Sequence, residues 1–172
     1  MGIIFKLHVI AERAEAELSM KFLVAIDGSE AGRHALTRAL ELARGQTEAS
    51  FVLLSVVEPA TDVYYPDMMP GTTDFGTSWQ GVSAQELMDV ARDRSRKALE
   101  EAETLCQKAG LACVSHVKLG TPRTTICDVA AEEAPDVLAI GSRGLGTMER
   151  LLLGSVSDYV VHHAPCPVLV VR

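Results

Sequence analysis

A doubly wound α/β domain with a five-stranded parallel sheet is the fold this sequence predicts, and three observations carry that prediction. Short apolar runs alternate with helical patterns along the chain. The runs are continuously apolar rather than alternating, as in parallel strands buried on both faces. Helix-starting residues stand directly after the runs, at Ser29, Thr121 and Ser155. Crossovers between parallel strands need a helix and are right-handed, so strict alternation leaves few other topologies.

Residues 22–26 form the first apolar run, ending in Asp27, Gly28 and Ser29. Ser29 is placed to cap a helix from residue 30 to about 44, with Ala35, Leu36, Ala39, Leu42 and Ala43 on one face and Gly45 closing it. Residues 51–57 read as the second strand, stopped by Glu58 and Pro59. Ser83 and Glu86 form a capping box opening a long helix with Leu87, Ala91, Ala98, Ala102, Leu105 and Ala109 inward, closed by Gly110. Residues 111–119 form a third strand. Thr121 then supplies an N-cap and Pro122 a first helical position, for a helix that Pro135 ends. Residues 136–140 are the fourth strand, residues 155–163 the last helix, and residues 168–171 the fifth strand after Pro165.

Two stretches stand outside this alternation. Residues 1–19 carry Ile3, Leu7, Ile10, Ala14 and Leu18 at helical spacing and read as an N-terminal extension, either a short amphipathic helix or a misassigned start. Lys6 and His8 interrupt its apolar part and acidic residues follow, unlike an export signal. Residues 60–82, with Tyr64, Tyr65 and Trp79, form a long loop inside the domain of residues 20–172 and read as a lid or partner surface, with an inert insertion as the competing reading.

The charge balance is 16 basic to 23 acidic residues, net -7, with no basic and aromatic cluster, which argues against nucleic acid. No apolar run approaches the roughly 20 residues of a membrane span. Cys106, Cys113, Cys127 and Cys166 are scattered without a CxxC pair, as expected of core thiols in the cytoplasm. His162 and His163 point about 100° apart on a helix, and His8, His34 and His116 lack partners at ligand spacing, so no metal site is expected.

The chemistry gathers after the fourth strand. Gly141 and Gly144 form GxxG, nine residues intervene, and Gly154 and Ser155 follow at a helix start. Glycine-freed amides beside a helix N-terminus suit phosphate oxygens. A Walker A loop is excluded because Ser155, not lysine, follows Gly154, and a GxGxxG dinucleotide loop because Glu149 stands at its third glycine.

This spacing resembles the nucleotide-binding signature of the universal stress protein family. The likeness extends to Asp27, Gly28 and Ser29, to residues 53–57, to Gly120 and Pro122, and to residues 166–171. It implies a Rossmann-like, adenine nucleotide alpha hydrolase-like fold of strand order 3-2-1-4-5. It also implies ATP, AMP or ADP as ligand. Asp27 would accept from the ribose, with Gly28, Ser29 and Gly120 nearby. The main chain of Val56, with Val57 beside it, would meet the adenine edge. Ile140, Gly141, Gly144, Gly154, Ser155, Val156 and Ser157 would surround the phosphates, Ser155 as a hydrogen-bond donor or Mg²⁺ contact, with Arg143 either touching phosphate or standing as a solvated loop charge. No catalytic residue is assigned, because the loop lacks a lysine, and the expected role is a regulator or sensor in stress response with slow or absent hydrolysis. The competing readings are a true ATPase and a partner-binding member without nucleotide; the SGGxDS loop of ATP pyrophosphatases is missing at residues 27–32. The apolar strand at residues 167–171 is expected to pair with a second copy, as it commonly does in that family, and no other protein partner is legible.

Overall fold

The computed structural model describes residues 19–46, 48–59, 83–143 and 153–172. The extension up to residue 18 and the long segment 60–82 lie outside the described residues, as does Gly144. The elements are β1 (Ser19–Ala25), α1 (Glu30–Ala43), β2 (Glu48–Val57), α2 (Ala84–Lys108), β3 (Ala112–Leu119), α3 (Pro122–Glu133), β4 (Val137–Gly141), α4 (Ser155–His163) and β5 (Val168–Val171). They build a five-stranded sheet of order β3-β2-β1-β4-β5, parallel at every pairing, as the sequence predicts.

Alternating side chains of the central strands face opposite layers. Phe22, Val24, Phe51 and Leu53 pack on Leu36 and Ala39 of α1 and on Leu99, Ala102 and Cys106 of α2. Phe22 and Phe51 are register partners, and their rings stack with centroids 4.9 Å apart. On the other face Leu23, Val52, Leu54, Leu138 and Ile140 meet Ile126, Val129 and Ala130 of α3 and Val160 of α4. Burial pushes the Cys106 thiol up to about 12, reinforced by the neighbouring Cys113. All four cysteines are free.

Several boundaries and facings differ from the sequence reading. β1 and β2 each begin three residues early, at Ser19 and Glu48, where they pair in register. Leu42 is 52% exposed, at the rim of a stripe formed by Gly32, Ala35, Leu36, Ala39 and Ala43. In α2, Leu87 is 50% exposed and the buried residues are Leu99, Ala102 and Cys106. The cause is length: a helix of 25 residues spans about 38 Å, against about 26 Å for the 8-residue β3, so its first half overruns the sheet. Thr121 occupies the N-cap of α3 without a side-chain capping bond, leaving Pro122 as the working start signal. No helix among the described residues is long and apolar enough to cross a membrane.

Candidate functional site

The chain runs from β1 to β2 on one side and returns to β4 on the other, so the order reverses between β1 and β4. A crevice is expected outside the carboxyl ends of strands at such a point. A cavity of about 490 Å³ lies there, within the usual range for small-molecule sites. Ala25, Ile26 and Asp27 line it from β1 and its end, Leu54, Val56 and Glu58 from β2 and its end, Ile140, Gly141 and Arg143 from β4 and its end, Pro122 and Ile126 from α3, and residues 153–157 from the start of α4.

Side chains close the β1–α1 turn. Asp27 Oδ1 accepts from the Ser29 N–H at 2.9 Å and from the Ser29 hydroxyl at 2.6 Å. Ser29 Oγ in turn accepts from the Gly32 N–H at 3.0 Å, capping α1. Gly28 takes φ +79°, a region that favours glycine.

Backbone closes the β4–α4 turn. The Ser142 N–H donates to Val171 O at 2.6 Å, and the Gly154 N–H donates to Ser142 O at 2.7 Å. Gly154 is the N-cap of α4 and has no side chain to cap with, so the first intrahelical bond is Asp158 N–H to Gly154 O at 2.9 Å. The N–H groups of Ser155, Val156 and Ser157 therefore have no acceptor among the described residues, and the three residues line the cavity. With the positive end of the helix dipole behind them, they offer an anion seat. The Ser157 hydroxyl donates to Ser142 O and Gly154 O, both at 3.0 Å, so it holds the turn together and only its amide is free.

Gly141 has a reason of its own to be glycine. A Cβ there would lie 2.7 Å from the carbonyl carbon of Ala31 and 2.8 Å from the nitrogen of Gly32. The start of α1 rests directly on the end of β4, and this helix–sheet contact demands the glycine whether or not a ligand is present.

Of the residues singled out from the sequence, Asp27, Val56, Ile140, Gly141, Arg143, Gly154, Ser155, Val156 and Ser157 converge on the cavity. Four others do not line it. Gly28 and Ser29 face a groove between α1 and α2. Val57 is one residue out of phase with Val56 and is buried on the other side. The Gly120 N–H donates to Val57 O at 3.0 Å, tying the β3–α3 turn to β2. Glu58, Pro122 and Ile126 line the cavity without being among the site residues the sequence points to. Period two from Val56 reaches Leu54 and Glu58, and the i, i+4 spacing puts Pro122 and Ile126 on one helix face. These signals become usable only once Val56 and the cavity are known.

The cavity carries different groups at its two ends, with Glu58 at the margin of the β2 end. Arg143 and the three amides lie at the β4–α4 end, Leu54, Val56, Pro122 and Ile126 at the β2–α3 end, and Asp27 between them. A phosphate, a sugar and an aromatic base, joined in that order, match the sequence of surfaces. Elsewhere, His162 and His163 each engage a carbonyl one turn back through Nδ1 at 2.8 Å, and His163 stacks on Tyr159.

Comparison with known proteins places the chain among relatives. It matches the universal stress protein family over residues 19–172. It is 33% identical over 154 residues to the universal stress protein Sll1388 of Synechocystis, covering 88% of this chain and 97% of that one. The universal stress protein UspA from Lactobacillus plantarum superimposes with a TM-score of 0.71 at 26% identity, covering 89% of this chain and 97% of that chain. A family protein from Arabidopsis thaliana, solved with AMP bound, gives a TM-score of 0.59 at 25% identity over 88% of this chain and 90% of that one.

Proposed function

We propose that this chain, which belongs to the universal stress protein family, binds an adenine nucleotide in the cavity and uses occupancy as a regulatory signal in stress response. The observation that carries the reading is the uncapped start of α4. Three amides without an acceptor among the described residues and Arg143 line a cavity whose far end carries Leu54, Val56, Pro122 and Ile126, and Asp27 keeps an acceptor between the two ends. The AMP carried by the Arabidopsis relative supports the same ligand class.

In this reading the amides of Ser155, Val156 and Ser157 hold phosphate oxygens, with Arg143 beside them. The ribose hydroxyls donate to Asp27. The base lies between the β2 residues Leu54 and Val56 and the α3 residues Pro122 and Ile126, its edge met by the main chain of Val56. Where Mg²⁺ accompanies ATP, Ser155 Oγ would be its protein contact; otherwise the hydroxyl would donate to a phosphate oxygen. Arg143 is the one cationic side chain lining the cavity among the described residues, and no lysine joins it there. Phosphoryl transfer relies on several positioned charges, so turnover is slow or absent and the output is binding.

An apolar edge strand supports a second copy as partner. β5 is an edge strand of four apolar residues, and pairing with a second copy through residues 167–171 would cover it. The free thiols suit the cytoplasm.

The direct test is nucleotide analysis of freshly purified protein by mass spectrometry, with ATP or AMP expected in the extract. An empty extract together with no binding of fluorescent ATP would refute the proposal. Gly154→Val should abolish binding while lowering stability by only about 1 kcal/mol, the cost of a poor N-cap residue, because φ -75° at Gly154 is open to any residue and its Cβ would meet Ser142 O at a tolerable 3.4 Å.

A further inference from the structure

We infer that Ser29 and Gly32 are positioning residues that aim the Asp27 carboxylate, and that through it they make the cavity selective for ligands with free ribose hydroxyls. The inference rests on the nucleotide reading above and adds two residues that need touch no ligand.

One line of argument is attraction. Both hydrogen bonds to the Asp27 side chain fall on Oδ1, from the Ser29 amide at 2.9 Å and the Ser29 hydroxyl at 2.6 Å. Ser29 is 8% exposed, and its Oγ is itself pinned by the Gly32 N–H at 3.0 Å. The hydroxyl hydrogen thus has one direction to go. Oδ1 is fully engaged, and Oδ2 has no donor among the described residues. A carboxylate fixed at one oxygen presents the other in a fixed direction, and Asp27 lines the cavity.

The second line is space, and it is independent of the first. Gly32 sits within α1 with no positive φ, where alanine is ordinarily the better helix former. Yet a Cβ at Gly32 would lie 2.8 Å from Asp27 Oδ1, inside van der Waals contact. The nearest atom it meets is the end of a side chain rather than fixed backbone. The carboxylate of Asp27, not the helix, is what would move. Glycine at this position keeps room for one placement of Oδ1.

A donor pair of the 2′- and 3′-hydroxyl kind is the group that an aimed, unpaired carboxylate oxygen recognises, and hydrogen bonds to a charged acceptor are the stronger ones. Selectivity should therefore appear as a ratio: affinity for ATP against affinity for 2′,3′-dideoxy-ATP, which keeps base and phosphates and lacks both donors.

Calorimetric titration of the full chain with both nucleotides tests this. Wild type should prefer ATP by about tenfold or more, the size expected for a charge-assisted hydrogen bond. Ser29→Ala and Gly32→Ala should each bring the ratio to within about twofold of one, with dideoxy affinity little changed. Ser29→Ala also removes a helix cap, so a fall in thermal stability is expected of it on structural grounds alone. Gly32→Ala keeps every hydrogen-bonding group and should melt no lower than wild type, which separates aiming from folding. Retention of the wild-type ratio in both variants overturns the inference, as does a wild type that binds both nucleotides equally, which leaves the nucleotide reading standing. A wild type that binds neither overturns that reading, and the inference with it.

Discussion

Two turns at the carboxyl edge of the sheet do similar geometric work with different chemistry. At the end of β1 the chain enters α1 through Asp27 and Ser29, whose side chains satisfy one another and one free amide of the first helical turn, that of Gly32. At the end of β4, Ser142 and Gly154 are bonded backbone to backbone, with a glycine at the cap of α4 and no acceptor for the helix start among the described residues. A capped helix start is less open to anions, because its cap already takes one of the N–H groups, here that of Gly32. An uncapped one facing a cavity is open to them. The difference between Ser29 and Gly154 thus leaves the start of α4 the more open of the two to an anion.

The two turns touch at Gly141, and forcing them apart should have the largest effect. Gly141→Ala would place its methyl 2.7–2.9 Å from Ala31 and Gly32, mostly against backbone that cannot step aside cheaply. Overpacking of this kind costs about 3 kcal/mol, so the urea midpoint should fall sharply, with nucleotide binding lost alongside. An unchanged midpoint would mean that α1 does not rest on β4 as described.

Gly154→Ser sharpens the comparison by giving α4 the cap that α1 already has. Serine and glycine differ by only a few tenths of a kcal/mol at an N-cap, so stability should barely move. The new hydroxyl would accept from the amides that the phosphates need, and affinity for ATP should drop by about tenfold, the cost of one displaced charge-assisted bond. Titration calorimetry beside a melting curve reads both. Undiminished affinity would show that the phosphates sit elsewhere.

The contrast also marks what the sequence can and cannot express. Ser29 as a cap, the Ser83 and Glu86 box, the strand order and the spacing from Gly141 to Ser155 are local or periodic signals, and the fold displays them. Thr121 carried the same kind of signal and makes no side-chain cap, since Pro122 already fixes the helix start. Leu42 and Leu87 lie on the periodic stripes yet stand half exposed, because periodicity finds a stripe without saying where the sheet beneath it ends. Gly141 and Gly32 are glycines for tertiary reasons: each makes room for atoms brought from elsewhere, or for a neighbouring side chain, which no spacing rule encodes. Glu58, Pro122 and Ile126 become visible as one wall only when β2 and α3 are seen to face each other across the cavity.

The smallest effect is expected at the opposite edge of the sheet, where neither turn has a part. Lys21 Nζ donates to Glu133 Oε2 at 2.6 Å and to Glu133 O at 2.8 Å, tying β1 to the end of α3. The hydrogen bond from Lys21 is the main cause holding the Glu133 carboxyl below its usual value. A carboxyl depressed in the folded state stabilises fully above its unfolded pKa, about 4.3, and loses that contribution as the pH falls through the lower folded value. The pair is partly open to solvent, so Glu133→Gln should cost only about 0.5 kcal/mol at neutral pH. The gap in melting temperature between variant and wild type should hold from pH 7 down to about 5 and close below about 4. Nucleotide affinity should stay at the wild-type value throughout, since the substitution touches neither turn. A gap that persists at pH 3 would place the stabilisation in packing rather than in the charge of Glu133.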